Sequence, residues 1–210
     1  MRIDVDVVSD AICPWCYIGK RRLETAIASV AGKHEVRVRW KPFQLNPAMP
    51  PEGMDRKTYR VTKFGSEENV RKLDARVIEA GRTAGLTLAM DKIRRTPNTF
   101  DAHRLIWHAG QKGAQDAVVE HLFRAFFTEG LDIGDRKILA DLAAEAGLDR
   151  KAVAAFLEST AGVEEVREEE REARELSVQS VPTFTIGGRY VVSGAHPPEV
   201  FLEAFEGVNR

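Results

Sequence analysis

The chain has 210 residues, 43% of them hydrophobic, enough to bury a core without disulfide or metal staples. Lys and Arg (31) nearly balance Asp and Glu (32), and a net charge of −1 gives no electrostatic case for nucleic acid. No apolar run approaches the roughly 18 residues of a membrane span. The opening MRIDVDVVSD shows neither an apolar h-region nor a small-residue cleavage site, so the cytoplasm is the expected compartment.

Ile3, Val5 and Val7 alternate with Asp4 and Asp6, and this period of two predicts a strand. Residues 9–12 turn the chain. From Cys13 the period lengthens, and Tyr17, Leu23 and Ile27 predict a helix that Gly32 stops. Val36, Val38 and Trp40 alternate again. Strand, helix and strand make a βαβ unit, expected to be parallel and right-handed. Four prolines (Pro42, Pro47, Pro50 and Pro51) mark 41–53 as an extended connector.

Helical periods follow over 67–85 (Val70, Leu73, Val77, Ala80), 98–110 (Ala102, Leu105, Ile106, Ala109), 117–128 (Val118, Leu122, Phe126), 135–146 and 150–158. Asn98 or Thr99 can cap the second of these. The most charged segment, 162–177, keeps a narrow stripe of Val163, Val166, Ala173 and Leu176. A solvated helix is expected there, with Glu170 and Arg174 paired at i,i+4. The end returns to β structure: a strand over 183–186, a Gly187-Gly188 hairpin turn, a return strand over 190–193, and a helix over 197–205 with Pro197 or Pro198 in its first turn. The expected fold is α/β: residues 1–50 and 178–210 share one sheet, and 51–177 form an inserted helical domain.

The only two cysteines are Cys13 and Cys16. A disulfide between them would restrain little of the chain, so the pair reads as chemistry rather than scaffolding. Cys13-Pro14-Trp15-Cys16 follows a predicted strand and opens a predicted helix, the setting in which this spacing is a thioredoxin-like redox motif. A structural zinc site would need further Cys or His ligands at recognisable spacing. Only His103 and His108 come near that, by a loose count, so no metal is expected. Unpaired N–H groups at a helix N-terminus favour a thiolate. Cys13 lies nearest that end and is the expected nucleophile. Cys16, one turn further in and more buried, is placed to resolve a mixed disulfide. Pro14 suits the first helical position, and Trp15 should be exposed. A second signal is Val181-Pro182-Thr183-Phe184, where Pro182 must sit at a strand entry or edge.

Four stretches, VSDAICPWCYIGKRRLE, FQLNPAMPPEG, NTFDAHRL and SVPTFTIGGRYVVSGAH, follow in the order of a known family. Together they resemble the thioredoxin superfamily, specifically its DsbA-like branch with a helical insertion, and most of all the FrnE-type cytosolic proteins. The resemblance implies a cis Pro182 facing Cys13, with the Val181 backbone pairing in strand fashion with a bound peptide or glutathione. It places NTFDAHR beside the site. Asn98 and His103 thereby become candidate substrate-binding residues with Pro14, Trp15, Val181 and Pro182. On residues alone, Asn98 reads equally well as a helix cap and His103 as a packed helix residue. Asp10 could accept a proton during exchange or simply turn the chain. His196 could donate to a substrate carboxylate or begin the last helical region.

Kappa-class glutathione transferases and 2-hydroxychromene-2-carboxylate isomerases are similar in the VPTF and Asn-Thr regions, but they carry a serine near the position of Cys13. This chain has both cysteines, and it reads Gly194-Ala195-His196 where the kappa class has Gly-Ser-Asp. Three functions follow as expectations. The first is a dithiol oxidoreductase acting on protein or small-molecule thiols and disulfides. The second is a glutathione-dependent isomerase or transferase on a small apolar substrate, and the third a redox-switched client-binding protein. No cofactor is expected beyond the redox-active pair, with glutathione as the cosubstrate the resemblance suggests. A homodimer through the helical block is an expectation without specific residue support.

Overall fold

The computed structural model describes residues 2–176 and 178–208. Alternation at the start builds β1 (Arg2–Ser9), with Ile3, Val5 and Val7 buried and Asp4 and Asp6 on the opposite face. Helix α1 (Pro14–Val30) crosses over to β2 (Glu35–Pro42), which pairs parallel with β1. Asp6 and Arg39 sit opposite each other in this ladder, and the guanidinium donates to both carboxylate oxygens at 2.6 and 3.1 Å.

The middle of the chain runs through β3 (Met54–Asp55), α2 (Arg56–Phe64), α3 (Glu67–Thr83), β4 (Arg95–Thr96), α4 (Phe100–Gly110) and α5 (Gln115–Arg124). A π-helical turn over Ala125–Glu129 follows, then α6 (Arg136–Glu145), α7 (Arg150–Glu158) and α8 (Val163–Glu175). The chain returns through β5 (Thr183–Ile186), β6 (Tyr190–Ser193) and α9 (Pro198–Val208). The main sheet has the order β2-β1-β5-β6, with β5 antiparallel to β1 and β6 antiparallel to β5. The first and last β segments therefore share one sheet, as expected. Gly187 and Gly188, both at positive φ, and Arg189 make the three-residue turn that joins β5 to β6. Helix α9 packs on α1, β5 and β6, while α4, α5 and α8 pack on β2.

The fold departs from the sequence expectation in three places. Helix α2 and the short β3–β4 ribbon follow the proline-rich connector without an apolar period to announce them; α2 buries none of its residues. The helix expected over 117–128 is α5 plus the π-helical turn, which places Phe126 and Phe127 side by side in the interior. At the start of α4 the expectation of a cap from Asn98 or Thr99 is met: Thr99 takes the N-cap position without a side-chain bond, and Asn98 Oδ1 accepts from Phe100 N at 2.9 Å. Helix α8 is more than a solvated face. Its Glu170 is buried, accepting from Gln44 N and Arg174 Nη2 at 2.8 Å each, and Arg174 also donates to Gln44 O. This ties α8 to the segment after β2. Residue 177, the end of the helix expected there, lies outside the described residues.

Arg104 on α4 is almost fully buried, and its guanidinium is the fastener of the helical block. It donates to the carbonyls of Phe156, Leu157, Ser159 and Ala161 at 2.7–3.1 Å, and to Asp101 Oδ1 at 2.7 Å. These carbonyls lie at the C-terminus of α7 and in the turn to α8, where the helix itself offers no donors. Replacing Arg104 by Met is expected to destabilise the protein by roughly 3 kcal/mol, since each carbonyl left buried and unpaired costs about 1–3 kcal/mol. Urea unfolding measures it; a loss within about 0.5 kcal/mol, the usual size for a surface change, would show that the fastener is dispensable.

Candidate active site

Cys13 is the N-cap of α1 and Pro14 its first residue, where a missing N–H costs nothing. The Cys13 side chain makes no capping bond, so its sulfur is left at the positive end of the helix dipole. Asp10 O accepts from Cys13 N, and Cys13 O from Cys16 N, each at 3.0 Å; these two bonds tighten the turn that delivers the pair. Both cysteines are free thiols. Cys13 is 5% exposed and Cys16 is 0% exposed, so an external sulfur meets Cys13 first.

The strand-entry proline completes the site. The Val181-Pro182 bond is cis, and Cys13 Sγ donates to Val181 O at 3.5 Å, although 168 residues separate the two. Gly19 makes this approach possible. A Cβ on Gly19 would lie 2.9 Å from Phe184 Cζ and 3.1 Å from Pro182 Cγ, closer than packed carbons tolerate. Trp15 stands outside the pair and is 39% exposed.

Beneath the cysteines lies a buried carboxylate. Asp10 is fully buried and accepts from Leu45 N at 2.7 Å, and His103 Nε2 stands 3.4 Å from its Oδ1. Burial pushes the Cys16 thiol well above the ordinary range; the adjoining Cys13 adds to this, and so does the negative charge of Asp10, against a lowering hydrogen bond from the Asp10 backbone.

A second polar cluster follows one turn further along α1. Lys20, 2% exposed, meets Glu24, Asp116 Oδ2 (3.1 Å) and Glu120 Oε2 (3.3 Å), while Trp40 Nε1 donates to Asp116 Oδ1 at 3.0 Å. Burial alone would raise the Glu120 carboxyl, but Lys20 and Arg21 outweigh it and hold the group below the usual carboxylate range. This network fastens α1 to α5 and β2.

A cavity of about 380 Å³ opens beside Cys13. Ile12, Trp15, Leu45, Val77, Met90, Phe126, Phe127 and Val181 supply its apolar wall, and α2 supplies Arg56, Tyr59, Arg60 and Lys63. Of the residues singled out from sequence, the structure gathers Cys13, Pro14, Trp15 and Val181 around this cavity, with Cys16, Asp10 and His103 behind them. Asn98 is not on its wall. It lines a separate cavity with Gln44 and Arg136, and donates to Met49 O at 2.6 Å, thereby pinning the segment that carries Leu45 and Asn46. His196 is exposed, lies off the cavity wall, and is 3.0 Å from Ser193 O. The face of α2 escaped the sequence reading. Its signal was a row of Arg56, Tyr59 or Arg60, and Lys63 at helical spacing.

The family model for the DSBA-like thioredoxin domain matches residues 4–206. The chain belongs to the DsbA-like thioredoxin family. A crystal structure of a probable DsbA oxidoreductase from Streptomyces coelicolor is 34% identical, with a TM-score of 0.88 over 98% of this chain and 89% of that one. The uncharacterised protein YwbO of Bacillus subtilis is 30% identical over 97% of this chain and 96% of its own length. The cytosolic disulfide reductase DsbM from Pseudomonas aeruginosa, solved with GSH, shares the fold at 17% identity, with a TM-score of 0.66 over 97% of this chain and 98% of that one.

The proximity of Asp10 to Cys16 makes a direct prediction. In a Cys13→Ser background, Asp10→Asn removes a negative charge from beside Cys16, so the Cys16 thiol should ionise at lower pH. NMR titration of the Cys16 Cβ reads this. An unmoved titration would mean that Asp10 exerts no field on the thiol.

Proposed function

We propose that the protein is a thiol–disulfide oxidoreductase working through Cys13 and Cys16. The observation that carries this reading is the pairing of a reachable sulfur at the α1 N-cap with a fully buried second sulfur one turn behind it. Reduction of a disulfide then takes two steps. The Cys13 thiolate attacks one substrate sulfur; the Cys13–S bond forms, the substrate S–S bond breaks, and the departing thiolate takes up a proton. Cys16 then attacks Cys13 Sγ, forms the Cys13–Cys16 disulfide and releases the second substrate thiol. Two electrons pass from the protein to the substrate, and an external thiol returns them. Asp10 is suited to take the proton of Cys16 as it attacks, with His103 holding the carboxylate from the other side. The Val181 carbonyl and the chain around Pro182 offer backbone pairing to a bound peptide or to glutathione.

In this reading residues 1–50 and 178–210 form the thioredoxin-like core and 51–177 the insertion that closes over the substrate. Among the described residues no helix is long and apolar enough to cross a membrane. The cytoplasm is the proposed compartment and glutathione the proposed small-thiol cosubstrate, supported by the fold shared with the cytosolic reductase solved with GSH.

The test is reduction of insulin by dithiothreitol. Wild type should accelerate it, both Cys13→Ser and Cys16→Ser should lose at least roughly a hundredfold in turnover, the cost of removing a group that acts on the reacting atoms, and Cys16→Ser should accumulate mixed disulfides through Cys13. Glutathione-dependent isomerase chemistry needs only one thiolate, so full activity of Cys16→Ser on a small apolar substrate, without insulin reduction by wild type, would replace this reading.

A further inference from the structure

The cavity beside Cys13 is apolar on most sides and cationic on one. Arg56, Arg60 and Lys63 face Asp74 as the one carboxylate on its wall, and Asp74 Oδ1 is already in ion contact with Arg60 Nη1 at 2.7 Å. Several donors here lack a protein partner among the described residues. Arg56 makes no ion pair; its guanidinium lies over the Phe126 ring at 5.9 Å from the centroid. Arg60 Nε is buried and unpartnered. Asn46 Oδ1 accepts from Tyr59 Oη at 2.6 Å and from Lys63 Nζ at 3.0 Å, which orients Nδ2 as a buried donor with no acceptor. Thr96 Oγ1 is buried and unpartnered on the same wall. Asp74 is the one carboxylate that acts on both Arg60 and Arg56, and buried donors left unmatched are costly, a cost that a bound acceptor removes.

Resting on the disulfide-exchange reading, we propose that the cavity selects small amphipathic thiols and disulfides, with sulfur at Cys13, an apolar body along Leu45, Val77 and Phe126, and a carboxylate at the end formed by Arg56, Arg60 and Asn46. The volume, about 380 Å³, suits a small molecule rather than a folded partner. Among the wall's unpartnered buried atoms, Arg60 Nε and Asn46 Nδ2 are donors, Thr96 Oγ1 can be either and Asp74 Oδ1 is an acceptor, and the wall carries three cations against that one carboxylate, so the balance favours an anion. Burial, with Arg60 alongside, lowers Arg56 to about 10. A bound carboxylate would relieve both effects.

Dihydrolipoate and dihydrolipoamide test this as a matched pair, since they carry the same dithiol and differ only in carboxylate against amide. Each reduces the Cys13–Cys16 disulfide by the same balanced route. A carrier thiolate attacks Cys13 Sγ, Cys16 leaves and is protonated, and the second carrier thiol closes the carrier's own disulfide and frees Cys13. At low salt, dihydrolipoate should react about ten- to a hundredfold faster, the range for a charged hydrogen bond. The ratio should fall toward one in Arg56→Met and fall in part in Lys63→Met, which sits at the exposed rim; melting curves confirm that each variant is folded. Equal rates for the two carriers in wild type, or a ratio that both substitutions leave intact, would overturn the proposal. Octanoate and octanamide separate its failure from failure of the exchange reading. In the Cys13→Ser/Cys16→Ser double variant, calorimetric binding of octanoate over octanamide upholds the anionic end even if no thiol exchange is found, and absence of that preference rejects it even if exchange is fast.

Discussion

The structure depends on how closely the second turn of α1 approaches the entry of β5. Gly19 is the point of contact: a Cβ there would come within 2.9 Å of Phe184 Cζ and 3.1 Å of Pro182 Cγ, so a side chain at 19 would push the two elements apart. Because the helix seats there, its N-terminus arrives beside Val181, and Cys13 Sγ comes within hydrogen-bonding reach of a carbonyl from the far end of the chain. The sheet enforces the same closure. β1 lies between β2, its neighbour in sequence, and β5, which arrives after the whole helical block. One packing contact thus joins the cysteine pair, the strand-entry backbone and the cavity into a single site.

Most buried charges in the molecule are matched, and the matches hold the insertion to the sheet. Lys20 is met by three carboxylates, Glu170 by Gln44 and Arg174, and Arg104 by four carbonyls and Asp101. Removing one partner of such a group leaves the other buried and uncompensated, which costs more than the intact pair contributes. Buried atoms without a hydrogen-bond partner among the described residues include Glu120 Oε2 and His103 Nε2 in the packed interior, and Arg60 Nε, Asn46 Nδ2, Thr96 Oγ1 and Asp74 Oδ1 around the cavity. The second group gathers where helix α2 borders the cavity, although Arg60 also ties α2 to α3 through Asp74.

Much of the core could be read from the residues. Alternation in 3–8, the change of period at Cys13 and the Gly187-Gly188 turn each report a local structure whose buried face is apolar, and each element formed. The cysteine pair was legible because its chemistry depends on a strand-to-helix context that the periods supply. What escaped was polar. Helix α2 buries no residue, so its sequence RKTYRVTKF carries no apolar stripe, and the two-residue strands β3 and β4 are too short to show a period. The burial of Glu170 is hidden among the charges of α8, and the carbonyls that Arg104 collects lie more than 50 residues away. Such long-range polar matches have no local signature. His103 is buried with Nε2 3.4 Å from Asp10 Oδ1, a long-range contact that no local pattern announces.

The proposed exchange needs an unequal pair of thiols, and the two differ in access: Cys13 keeps a little exposure, while Cys16 is fully buried with its thiol pushed up by burial. Competitive alkylation of the fully reduced protein with iodoacetamide at neutral pH, followed by peptide mass analysis, tests this most directly. The account predicts that Cys13 is modified first and that Cys16 stays protected until the protein unfolds. Equal modification of the two, or faster modification of Cys16, would contradict it.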